Sequence, residues 1–141
     1  MAIALRQFFR MDIFPPNSNT MNQFTIATRD NPPVQVVDLN GYLDAHTAPQ
    51  LEQTLQRLVS DKNFNIIVNF RDLAYISSAG LGVFMAFIED VRGNQGDIKL
   101  AGMSPKVYNV FDLLGFPMLY EIYDDEHQAR QQFIERNEAI G

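Results

Sequence analysis

Between Phe64 and Val91 the apolar residues change period, and that change constrains the fold more than any other feature of the chain. Phe64, Ile66, Val68 and Phe70 alternate along Phe64-Asn65-Ile66-Ile67-Val68-Asn69-Phe70, which predicts a strand with one apolar face. Leu81, Phe84, Met85, Ile88 and Val91 recur three and four apart, which predicts a helix that starts near Ser78. Ile76-Ser77-Ser78-Ala79-Gly80-Leu81-Gly82 joins the two and puts a hydroxyl where the helix begins. A serine there satisfies backbone amides as an N-cap, and a phosphate on it meets those amides and the positive end of the helix dipole. The junction can therefore carry a phosphoryl group without breaking the fold.

On either side of this junction the chain alternates. Gln23 to Thr28 and Val34 to Leu39 read as two strands joined by Asp30-Asn31-Pro32-Pro33, a spacer that suits a hairpin. A helix is expected from Ala48 to about Asp61 on Leu51, Leu55, Leu58 and Val59, with Thr47-Ala48-Pro49-Gln50 as a capping box. A strand over Ile98-Lys99-Leu100-Ala101 precedes a helix opened by Ser104-Pro105, carrying Val107, Val110, Phe111 and Leu114, and ended by Gly115 and Pro117. A last strand from Met118 to Ile122 leads into a helix from about Glu126 to Asn137, with Ala129 and Phe133 as a thin apolar stripe and Glu126 and Arg130 as a solvated pair. The order predicts an α/β fold, a hairpin first and then a mixed sheet of about five strands, mainly parallel in its later part, with about four helices.

At 141 residues the chain is the size of one domain, and its 46% hydrophobic and 20% charged residues are globular values. A net charge of -6 argues against a nucleic-acid surface and suits a basic protein partner. With no cysteine there is no disulfide framework and no thiolate metal site, which is compatible with a reducing cytoplasm. No apolar run approaches the roughly 20 residues of a membrane helix, so no membrane insertion is expected.

Met1 to Thr20 differ from the rest, with Phe8, Phe9, Ile13 and Phe14 followed by the breaker cluster Pro15-Pro16-Asn17-Ser18-Asn19. Arg6, Gln7 and Arg10 interrupt the apolar stretch and no small-residue cleavage site follows, so it does not read as a signal peptide. The segment reads as an extra, poorly ordered tail on a single domain spanning 21–138, and Met21-Asn22-Gln23-Phe24 is where such a domain could itself start.

Taken together, three stretches resemble the STAS family of bacterial anti-sigma factor antagonists over roughly residues 22 to 135. Asp72-Leu73-Ala74-Tyr75-Ile76-Ser77-Ser78-Ala79-Gly80-Leu81-Gly82 resembles the family's run of an acidic residue and leucine, an aromatic, an apolar residue, then Asp-Ser-Ser/Thr-Gly-Leu-Gly. Leu39-Asn40-Gly41-Tyr42-Leu43-Asp44-Ala45-His46-Thr47 resembles the Gly-Glu-Leu-Asp loop before the first helix, and Gly102-Met103-Ser104-Pro105-Lys106-Val107 resembles the later Ser-Pro connection. Two positions depart from the pattern: Ser77 replaces the acidic residue before the acceptor serine, and Tyr42 stands where the loop often has glutamate.

The resemblance implies a sheet covered by helices on one side and a phosphorylation-gated binding module in the cytoplasm. It puts the phosphorylated serine at Ser78, ahead of Ser77, and implies a partner that is both an anti-sigma factor and a serine kinase binding its own ATP. Asp44, Thr47, Ser77, Ala79, Gly80, Leu81 and Gly82 are the implied contact residues, on helix 2 from Gly80 to Val91 and the loop from Gly41 to Thr47. STAS domains also serve as scaffolds or regulatory parts of transport complexes, in which Ser78 would only cap a helix. An exposed edge strand leaves weak homodimer pairing open.

Other chemistries find less support. Gly80 and Gly82 lack the third glycine of a dinucleotide fingerprint and the lysine of a P-loop, so no nucleotide cofactor is expected on this chain. His46 and His127 lie far apart with no spaced carboxylate or second histidine, so no metal site is expected. Ser78, His46 and Asp44 could act as nucleophile, base and orienter, but Asp44-Ala45-His46 crowds the last two within three residues and nothing else suggests acyl transfer. The chain does not read as an enzyme.

Overall fold

The computed structural model describes residues 23–140, so the expectation for residues 1–20 lies outside the described residues. Five strands form one sheet in the order β1-β2-β3-β4-β5, with β1 Phe24–Asn31, β2 Val34–Leu43, β3 Asn65–Ile76, β4 Asp97–Ala101 and β5 Ile122–Tyr123. β1 and β2 make an antiparallel hairpin closed by Pro32 and Pro33, and the remaining pairs are parallel. The connections are the helices α1 Ala48–Ser60, α2 Ser78–Gly93 and α3 Pro105–Leu113, with α4 Glu126–Ile140 closing the chain. This is the mixed sheet and helix count that the sequence predicts.

Three helices share one face of the sheet. Val37, Leu39, Ile66, Val68, Phe70, Ile98 and Leu100 point to that side and pack with Leu51 and Leu55 of α1, Leu81, Phe84 and Val91 of α2, and Val107 and Phe111 of α3. Its centre is aromatic: Phe111 meets Phe70 and Phe116 edge-on, each with ring centroids 5.5 Å apart. The expectation of helices on one side only is corrected by α4, whose Ala129 and Phe133 pack with Val34, Val36, Ile67 and Ala101 on the opposite face. The same face buries Lys99, whose Nζ sits 2.7 Å from Glu121 Oε1, 3.1 Å from Asp97 Oδ2 and 4.8 Å from the Phe133 ring centroid. A buried ammonium is tolerable because two carboxylates compensate its lost hydration.

Several local expectations are corrected. Thr47 makes no capping bond to α1; its Oγ1 donates to Tyr42 O at 2.9 Å and accepts from Asp44 N at 2.8 Å, so the hydroxyl is committed to the loop. The run Met118 to Ile122 is not a strand: Gly115 turns the chain at φ 75°, Phe116–Met118 forms a 3-10 turn, and only Ile122–Tyr123 reaches β4. Leu114 follows α3 as its C-cap residue and is exposed. Met85 is exposed on the outer side of α2, beyond the arc that touches the sheet.

Glu126 and Arg130 are also not a solvated helix pair. Arg29 of β1 bonds both Glu126 and Asp38, Asn31 Nδ2 donates to Glu126 Oε2 at 2.8 Å, and Arg130 Nε donates to Pro32 O at 3.0 Å. Hydrogen bonding from Arg29 holds the Glu126 carboxyl below its ordinary value of 4.5, against the opposing effect of burial. Because the folded value is depressed, this bridge stabilises the fold above the ordinary carboxylate pKa and loses that effect as pH falls through the folded one. Glu126→Gln should lower the melting temperature at pH 7, with a loss of stability below about 1 kcal/mol because Arg29 is solvent-screened. The difference from the unsubstituted chain should close as the melts are repeated at acid pH; a difference that persists there would remove the charge from the explanation.

Candidate functional site

The parallel strands β2, β3 and β4 all end at one pole of the domain, and the three stretches singled out in the sequence leave the sheet there. Leu43 pairs with Ile76 in the last rung between β2 and β3, and Ser77 N donates to Leu43 O at 2.9 Å. That bond keeps Ser77 extended, at φ -104° and ψ 171°, so the helix starts one residue later. Ser77 therefore occupies the N-cap position and Ser78 is the first helical residue, which corrects the expectation that Ser78 is the cap. The Ser77 hydroxyl makes no capping bond; its Oγ is buried without a hydrogen-bond partner among the described residues.

Ser78 consequently stands outside. Its side chain is exposed, and its amide and that of Ala79 precede the first intrahelical bonds, which run from Gly80 N and Leu81 N to Ser77 O at 3.1 and 3.2 Å. An anion on Ser78 would meet unspent amides and the positive end of a 16-residue helix. Lying along the exposed side of α2 with it are Ala79, Gly82, Met85 and Glu89.

What fixes this helix start is glycine and leucine packing. A Cβ on Gly80 would fall 2.8 Å from Leu43 Cγ and 3.2 Å from Ile76 Cγ1, so only glycine allows α2 to approach the sheet this closely. Leu81 is 2% exposed and buried in the core. Of the expected contact residues, Gly80 and Leu81 thus position the helix, Ala79 and Gly82 face outward, and Asp44, Thr47 and Ser77 are half-buried beside it.

Asp44 is occupied in shaping its own loop. Its Oδ1 accepts from His46 N at 2.9 Å and Thr47 N at 3.1 Å, so the carboxylate holds the turn between β2 and α1. It bonds the backbone of His46 rather than its ring, and among the described residues no hydrogen bond links that ring to Ser78 or Asp44. Ser104 caps α3 at the same pole by accepting from Val107 N at 3.2 Å.

Sequence reasoning missed the aromatic pair beside the site. Tyr42 and Tyr75 are partners across β2 and β3 with ring centroids 5.8 Å apart, and Tyr42 is 47% exposed. The signal available in the sequence is a tyrosine immediately before each of the two strand-ending apolar residues, Tyr42 before Leu43 and Tyr75 before Ile76. No cluster of metal-binding side chains occurs among the described residues, and no helix among them is long and apolar enough to cross a membrane.

A family model described as the STAS domain matches residues 25–129. An anti-sigma-B factor antagonist of Staphylococcus aureus is 29% identical over 86 residues, which are 61% of this chain and 80% of the relative. Among solved structures, an anti-sigma factor antagonist from Mycobacterium paratuberculosis superposes with a TM-score of 0.73 at 23% identity, covering 79% of this chain and 94% of that one. The Bacillus cell fate determinant SpoIIAA in its phosphorylated form gives 0.60 at 22% identity, covering 78% and 98%. A sulfate transporter family protein from Wolinella succinogenes gives 0.61 at 18% identity, covering 72% and 85%. At these identities the structural likeness is one of fold.

Proposed function

The chain belongs to the STAS domain family, and from that premise we propose that it is an anti-sigma factor antagonist whose hold on its partner is released by phosphorylation of Ser78. The observation that carries the reading is the position of Ser78, an exposed hydroxyl in the first turn of a helix anchored from behind by Leu81, Phe84 and Val91. The partner is an anti-sigma factor that is also a serine kinase and brings its own ATP. Ser78 Oγ attacks the γ-phosphorus, the bond to the ADP oxygen breaks, and the hydroxyl proton passes to a base of the kinase. This chain acts by binding rather than turnover, as one domain over residues 21–138, in the cytoplasm where a sigma factor is held or freed.

The docking face is the exposed side of α2 with the loop from Gly41 to Thr47. Gly82 supports this. A Cβ there would meet nothing within 4 Å, so the fold has no use for glycine at a helix-interior position where it costs about 0.5–1 kcal/mol relative to alanine. A partner approaching the backbone does have use for it. Gly82→Ala is therefore expected to raise stability by up to about 1 kcal/mol while weakening partner capture; chemical denaturation and titration calorimetry on the same samples check the two signs. Unchanged affinity would take Gly82 out of the interface.

Partners retained from a lysate of the source cells by the unmodified chain and by Ser78→Asp test the reading as a whole. A small serine kinase held by the first and lost by the second is expected. A second reading, a constitutive scaffold in a transport complex, draws on Ser77, which offers no charge where the family has an acidic residue, and on the transporter protein of the same fold. A transport-complex subunit retained equally by both baits would favour it over the switch.

A further inference from the structure

The end of α2 remote from Ser78 leads onto an exposed apolar turn. Leu113, Leu114, Met118 and Leu119 fall within seven residues and all are exposed, Leu113 by 84% and Met118 by 89%. Exposed leucines scattered singly are ordinary, but four large apolar side chains on one short turn are not. The turn itself is anchored. Leu114 N and Gly115 N bond back into α3, to Phe111 O at 3.2 Å and Asp112 O at 3.1 Å, and Leu119 N donates to Phe116 O at 2.8 Å. Beneath it the buried Phe116 and Tyr120 rings stack with centroids 5.6 Å apart, and Arg92 Nη2 donates to Leu119 O at 2.6 Å. Buried aromatics and a helix-borne arginine thus hold the backbone while the four other apolar side chains face water.

We propose that this turn is a docking surface for a basic amphipathic helix of a protein partner, with the helix's apolar side chains on Leu113, Leu114, Met118 and Leu119 and a lysine or arginine over Asp112. The charge argument comes from the end of α3. A helix C-terminus carries the negative end of the dipole and favours cations, yet the last turn of α3 holds no basic residue and instead exposes Asp112. The Asp112 carboxylate makes no ion pair among the described residues. A cation from outside would meet the carboxylate and the helix end together, beside the leucines. The same charges disfavour two other occupants. A second copy in a two-fold contact would bring two Asp112 carboxylates and two negative helix ends into one interface, and an anionic membrane surface would be repelled. Size points the same way, because four anchors match the i, i+3, i+4, i+7 ridge of one helix, whereas a stable dimer uses about 20–30 residues a side. Arg92, where the surface begins, lies about 20 Å along α2 from Ser78, so the inference does not depend on the role of that serine.

Titrating the isotope-labelled full-length chain with an amphipathic leucine–lysine peptide is expected to shift the amides between Asp112 and Leu119, and a leucine–glutamate peptide of the same pattern is expected not to. Asp112→Lys should weaken the first peptide about fivefold, the scale of one exposed charge contact, and admit the second. Leu113→Ser combined with Met118→Ser should abolish the shifts; both side chains are exposed, so the dispersion of the remaining amides should be retained. No shift, shifts centred on another surface such as α4, or a lysine-peptide affinity that Asp112→Lys leaves unchanged would overturn the proposal. So would movement of the same amides on concentrating the free chain, which marks a second copy, or on adding phosphatidylglycerol vesicles, which marks a membrane surface.

Discussion

Ser78→Asp is expected to weaken capture of the partner kinase by at least about tenfold, or 1.4 kcal/mol, and stoichiometric phosphorylation by far more. Phosphorylation adds about -1.5 to -2 charges, where aspartate adds one and carries fewer acceptor oxygens. Taking a partner from almost wholly bound to almost wholly free needs about 5.5 kcal/mol, a ratio near 10⁴. An exposed ion pair contributes only about 0–1 kcal/mol, so a charge at the rim of the interface cannot supply that difference. The phosphate must lie within the docked face, and the exposed line of Ser78, Ala79, Gly82 and Met85 puts it there if α2 is what the partner covers. The helix start tolerates the charge within the chain itself, because the amides of Ser78 and Ala79 precede the helical bonding. The two effects are separable: Ser78→Asp should melt close to the unsubstituted chain while binding worse. A loss of melting temperature matching the loss of affinity would mean that the substitution damages the fold instead.

The largest effect on stability is expected from Phe111→Ala. Phe111 is fully buried where β3, α2 and α3 meet the 3-10 turn, and its ring contacts Phe70, Phe84 and Phe116. Removing a buried phenyl ring leaves a cavity among rigid neighbours and costs about 3–5 kcal/mol. Against a total of about 5–15 kcal/mol, that is a large fraction. Thermal and denaturant unfolding should both show it, and Phe111→Leu should recover part of the loss. Because Phe111 lies in α3 and away from the exposed side of α2, partner affinity measured where the variant remains folded should not change. A loss under about 1 kcal/mol would mean that the aromatic centre repacks and does not fix the helices as described.

Much of this architecture is legible in the sequence because its apolar periods are strong. The alternation at Phe64 to Phe70 and the spacing of Leu51, Leu55 and Leu58 each name the face that the structure buries. What the period cannot show is how wide an arc the sheet covers. Met85 fits the helical spacing as well as Phe84 does, yet it lies past the contact and stands in water. β3 runs on to Ile76 through Arg71, Asp72 and Ala74 because register shifts in its pairing with β2 let the chain bulge, and bulges leave no periodic trace. The burial of Lys99 is not legible in the strand Ile98-Lys99-Leu100-Ala101, because Glu121 and Phe133 reach it from sequence-distant elements. At the site, the motif located the serine pair, but which of the two caps the helix depends on one sheet bond from Ser77 N to Leu43 O.

The central claim is tested most directly by intact mass and site mapping of the protein isolated from its own cells across several growth conditions, with Ser78→Ala expressed in parallel. The account predicts one added phosphate, mapped to Ser78 and absent from the alanine variant. A chain that stays unmodified at Ser78 in every condition, or that carries its phosphate at Ser77, would contradict it.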